Sequence, residues 1–140
     1  HMTETTAAAR WVYATLSGDA RMNALVGGRV FAYRAPMGAA YPCVMFQLQT
    51  AQLDTRVLGE ARLASRLILA VKAIGEGADF VSIQPIANRV DELLEAGSGS
   101  SSDGVVVACV RDMPIEMLES SDAGIDYAHL GGLYRLTVQG

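Results

Sequence analysis

Few residues of this chain have the types and spacing that chemistry requires. His129 is the only histidine besides His1, and Asp126 lies three residues before it. A zinc site needs several His or Cys ligands, and no second histidine or nearby cysteine completes one here. On a Gly-rich loop the Asp126–His129 pair reads as a surface hydrogen bond. Gly27-Gly28 invites comparison with a phosphate cradle. A P-loop ends in Lys-Ser or Lys-Thr, however, and the only lysine is Lys72. A dinucleotide fingerprint needs a strand before its glycines and a helix after, and here that order is reversed. The serines between Ser98 and Ser102 have no accompanying base to activate them. Asp91, Glu92 and Glu95 fall on the outer face of an amphipathic helix, where carboxylates are solvated. Cys43 and Cys109 sit among apolar neighbours and read as buried free thiols. The expectation is no enzyme, no cofactor and no metal.

The bulk numbers say what the chain does instead of chemistry. Its 140 residues make one domain, 1–140, with His1-Met2 read as a cloning scar and the start Met. Hydrophobic residues are 51% and charged residues 19%, the latter below the ~25% usual for soluble domains. The excess is either apolar surface buried between subunits or the mark of an Ala- and Gly-rich sequence. No apolar run approaches the ~20 residues of a membrane span, and the start is polar. The reading is a soluble protein made in a cytoplasm.

Charge is unevenly spread. Residues 1–70 carry seven Arg against four acids, and residues 71–140 carry four bases against eleven acids. Between Asp112 and Asp126 there are five acids and no base. Such asymmetry suits a head-to-tail contact between copies, and equally a solvated acidic loop. It argues against sequence-specific DNA binding, which shows a basic patch.

The elements follow from pattern. Thr5 to Ser17 reads as a helix with Val12 and Leu16 on one stripe and Trp11 beside it. Asp19 caps a short helix from Ala20 that Gly27-Gly28 stops. Arg29 to Tyr33 is a short strand, and Pro36, Gly38 and Pro42 mark a loop. Val44, Phe46 and Leu48 alternate as a half-buried strand. Asp54 to Ala61 is a polar hairpin tip. Arg62 to Ile74 is a long strand with Leu63, Ser65, Leu67, Leu69, Val71 and Ala73 on one face. A second long helix runs from Asp79 or Ser82 to Glu95, and Pro85 places its regular start near Ser82. Gly97 to Gly104 reads as a flexible connector. Val105 to Arg111, a continuous apolar run, reads as a buried central strand, which Ile115 to Glu119 continue or bend away from. Leu133 to Gln139 is the last strand. The fold class is α+β: a mostly antiparallel sheet of four to five strands, joined consecutively by hairpins except at the helix, with two main helices on one face.

The run from Leu25 to Leu48 carries a resemblance. Leu25-Val26-Gly27-Gly28-Arg29-Val30-Phe31, then Pro36, then Pro42 and Val44, is similar to the opening of siphophage tail terminator or tail-completion proteins, the tail-to-head joining family. The long middle strand, second helix and closing strand pair extend the resemblance over nearly the whole chain. It implies a structural virion protein, assembled in the bacterial host cytoplasm and located in the tail or neck. It implies a hexameric ring that ends the tail tube, partnered by the tube protein and the head-neck connector. DNA would pass through the lumen without specific binding, and no membrane is involved. The rivals are a head-completion or neck protein and a small ligand-binding domain.

Two segments are expected to project from the sheet and to meet a neighbour or line the lumen. One is the tip with Asp54, Arg56 and Glu60. The other is the acidic stretch with Glu116, Glu119, Asp122 and Asp126. Acids in a lumen would repel phosphates and let DNA slide. Arg29 and Tyr33 on the short strand are expected to contribute to a subunit contact.

Overall fold

The structure, a computed structural model, describes residues 3–51, 55–56 and 62–140. In chain order it forms α1 (Thr3–Ser17), α2 (Ala20–Val26), β1 (Val30–Ala32), β2 (Cys43–Ala51), β3 (Thr55–Arg56), β4 (Arg62–Glu76), α3 (Phe80–Leu94), β5 (Gly99–Ser101), β6 (Gly104–Ser120) and β7 (Asp126–Gln139). The α+β class holds. The sheet is larger and more mixed than the sequence suggests, with order β1-β2-β4-β7-β6-β5 and β3 paired to β4 off that path. The β1–β2 pair is parallel and the remaining pairs are antiparallel.

Local sequence explains most boundaries. The Asp19 carboxylate accepts from Met22 N–H at 2.8 Å and starts α2, and Gly27 ends it at φ 59°. Gly supplies that left-handed cap without a Cβ clash. Tyr33 then takes φ 67°, which leaves the extended region and stops β1 after three residues. Asp79 accepts from Val81 and Ser82 N–H and starts α3 at Phe80, two residues before the start that Pro85 suggested. Pro85 therefore lies inside the helix. Pro85 and Val81, whose carbonyl loses its usual donor, both face solvent, where water can serve that carbonyl.

One face of the sheet carries the core. Val44 and Phe46 of β2, Leu67, Leu69, Val71 and Ala73 of β4, and Tyr134, Leu136 and Val138 of β7 alternate with outward neighbours, as period-two patterning requires. Val12 and Leu16 of α1, Met22 and Val26 of α2, and Ile83, Ile86, Val90 and Leu94 of α3 bury against them. Gly131 lets β7 press against β4: a Cβ there would sit 2.0 Å from the Val71 carbonyl oxygen.

Two sequence expectations fail in an instructive way. Gly97 to Gly104 is no flexible connector. It contains β5, hairpin-paired to β6. Its glycines make room for Trp11, since a Cβ on Gly99 would come within 2.6 Å of the indole nitrogen. The apolar run from Val105 is not a central strand either. Val105 and Val107 are exposed, and only Val106 and Cys109 of that run are buried. The central strands are β4 and β7, and β6 lies outside them.

Candidate assembly surface

The acidic stretch from Asp112 to Asp126 is the far half of the β6–β7 hairpin. The bulge between Arg111 and Met113 re-aims β6, which then pairs with β7 as far as Ser120↔Asp126. Every β6 residue from Arg111 to Ser120 is exposed except Ile115, which is partly so. Met113, Met117 and Leu118 therefore stand in solvent beside Glu116 and Glu119. Asp122 is exposed in the turn, and Asp126 accepts a hydrogen bond from the Ser120 hydroxyl.

The outer edge of β6 is covered only at its start. β5 pairs with Gly104 to Val106. The end of α3 takes the next positions: Ala96 N–H donates to the Cys109 carbonyl, and Arg111 N–H donates to the Glu95 carboxylate. Beyond the bulge, no described strand lies beside β6 on that side. At the opposite margin β1 covers β2 only from Val44 to Phe46, so Gln47 to Ala51 is also open among the described residues. A cavity of about 260 Å³ lies beside that second margin, between α1 and β2, lined by Ala9, Arg10, Tyr33, Phe46, Leu48 and Leu69 among others.

Of the residues expected to meet a neighbour, Tyr33 is 59% exposed at the rim of this cavity. Arg29, partly exposed, also serves the fold internally. Its Nε donates to the Pro42 carbonyl at 2.9 Å and ties the strand to the loop that returns to β2. Asp54 and Glu60 lie outside the described residues. Arg56 is described only as a β3 residue paired to Arg62.

His129 overturns its sequence reading. It is 4% exposed, and its Nε2 lies 3.1 Å from Glu119 Oε1, across the hairpin and not toward Asp126. Its Nδ1 is buried without a hydrogen-bond partner. Burial pushes the imidazole below its ordinary pKa, while Glu119 pulls the other way. A cavity of about 320 Å³ opens there, where Arg34 joins Glu119, Tyr41, Tyr127 and His129. Tyr41 and Tyr127 meet with ring centroids 5.1 Å apart. Arg34 comes from the basic half of the sequence and Glu119 from the acidic half, and the fold brings them to one cavity.

The carboxylates of α3 are also more than a solvated face. Asp91 accepts from the buried Tyr134 hydroxyl at 2.8 Å, and Arg89 reaches Asp19 of the α2 cap at 2.7 Å. Sequence reasoning missed these ties because the partners are 43 and 70 residues apart, and no local spacing signals them.

Burial pushes the Cys43 thiol up to about 11 and the Cys109 thiol to about 12, which removes the nucleophilic thiolate at neutral pH. Among the described residues no group of three or more His, Cys, Asp or Glu side chains could hold a metal ion. No helix among them is long and apolar enough to cross a membrane. What the arrangement offers is surface: two open strand edges, an apolar cavity and an acidic hairpin.

Comparison with known proteins agrees with that character. The family described as Tail completion protein gp17 matches residues 10–139. Among solved structures, a chain from a virion of a native gene transfer agent particle matches with a TM-score of 0.75 and 20% identity, covering 100% of both chains. At that identity the likeness is one of fold. No curated protein sequence matches the chain.

Proposed function

We propose, since the chain belongs to the tail completion protein gp17 family, that copies of this structural virion protein close into a ring, a hexamer by the resemblance, which ends the tail tube and joins tail to head. The observation that carries this reading is the pair of unlike open edges, on β6 and on β2. Because these edges lie at opposite margins of the sheet, a contact between them is head-to-tail; it repeats from copy to copy and forms a ring when its rotation closes.

The chain's role is geometric. The ring presents one axial face to the tube protein and the other to the head-neck connector. Asp122 and Asp126 face the lumen, where negative charge repels phosphates and leaves DNA free to slide. Basic groups would do the opposite by releasing counterions. Tyr33 contributes to contacts between copies, as does Arg29 through the loop it holds.

The test is polymerisation of tail-tube protein with and without the chain. Tubes that stop growing and carry added density at one end support the reading. Tubes of unchanged length distribution with bare ends overturn it.

A further inference from the structure

We infer that two edges uncovered among the described residues, that of β6 from Pro114 to Ser120 and that of β2 from Gln47 to Ala51, pair between copies of this chain, so that one sheet runs from subunit to subunit. This rests on the ring reading above and specifies its joint.

The hydrogen-bond alternation identifies the free groups. Cys109 and Arg111 direct their backbone groups away from β7, because α3 takes them. The extra residue between Arg111 and Met113 shifts the alternation by one. From there the even positions, Pro114, Glu116 and Leu118, point outward. Pro114 has no N–H, and an outward edge position is where a strand tolerates that. Glu116 and Leu118 thus offer backbone donors and acceptors to a partner strand.

Side chains then select the partner. Leu118 pairs with the buried Ala128, so it lies on the helix side of the sheet, and it is 49% exposed. In a continuous sheet it would meet the helix side of the neighbour's β2. There the cavity of about 260 Å³ between α1 and β2 presents Ala9, Phe46, Leu48 and Leu69. That cavity is roomy enough for a leucine side chain. Glu116 shares the helix side with Leu118 two residues away. Arg10, which lines the same cavity, is paired through its Nε with Asp103 at 2.9 Å but remains 60% exposed, so it can share a second carboxylate. The apolar and charged pairings therefore lie on the same face of the sheet. Pro114 and Glu116 also make indiscriminate pairing of this edge costly.

The test is hydrogen exchange on the unaltered chain, free and assembled on tail tubes. The Glu116 and Leu118 amides should slow at least ~100-fold on assembly, while the Met117 amide, already bonded to β7, changes little. A Leu118→Asp variant should melt as the parent does and need at least ~10-fold more protein to assemble. Rings whose Glu116 and Leu118 amides exchange at the free rate overturn this joint and leave the ring standing. Two-subunit particles with both amides protected overturn it in favour of β6 pairing with β6. Bare tubes beside a monomeric chain overturn the joint and the ring together.

Discussion

The Asp19 carboxylate holds the Arg89 guanidinium with both oxygens, at 2.7 and 2.9 Å, while one of them also caps α2 through Met22 N–H. One side chain thus fixes a short helix to the long one. The Arg89 guanidinium and the capping N–H lower the Asp19 pKa from 3.8 to about 2. Its stabilisation is complete above 3.8. As pH falls, the unfolded chain takes up this proton first, so stability is lost between about 3.8 and 2. Asp19→Asn should lower the melting temperature by a few degrees at neutral pH and flatten its pH dependence in that window. Melting curves across acid pH check this; parallel curves for parent and variant would refute it.

Tyr134 is 1% exposed and donates to Asp91 at 2.8 Å. Tyr134→Phe removes that bond but keeps the ring. Asp91 is partly exposed and can take water instead, so the cost should be about 1 kcal/mol in denaturant unfolding. Tyr134→Ala should cost about 3–5 kcal/mol, because it also leaves a cavity.

Gly131 and Gly28 separate two roles of glycine. A Cβ on Gly131 would meet the Val71 carbonyl oxygen at 2.0 Å, and backbone cannot swing aside. Gly131→Ala should cost more than about 2 kcal/mol and shift β4–β7 amide resonances. Gly28 has φ +78° with nothing within 4 Å. Gly28→Ala meets only the left-handed backbone cost, about 1 kcal/mol.

His129 predicts a second pH dependence. Its folded pKa lies below 6.5, lowered first by burial and further by Lys72, with Glu119 opposing. As pH drops below 6.5, the unfolded chain protonates before the folded one, so stability falls. His129→Gln should remove this slope. An unchanged slope would place its origin elsewhere.

The core was legible in the sequence because burial alternates along a strand. Leu67, Leu69 and Val71, and Leu136 with Val138, fall where period two puts them. The Asp19 cap and Gly27 stop were legible because capping is local. Trp11 over Gly99 was hidden, because Gly-Ser-Gly reads as linker until a distant indole needs the space. The exposure of Val105 and Val107 was hidden for a related reason. An apolar run does not say which face of the sheet is covered, and Val105, paired with Gln139, lies on the face opposite the buried Val106–Val138 pair. The acids at Glu116 and Glu119 were visible as charge, but not as the far half of a hairpin with a free edge. His129 lacked any local signal for its Glu119 partner.

Electron cryomicroscopy of tail tubes incubated with the purified chain tests the central claim most directly. The account predicts a closed, rotationally symmetric ring of this protein on one end of each tube, with the sheets of adjacent copies joined. Tubes with bare ends, or decorated by single unclosed copies, would contradict it.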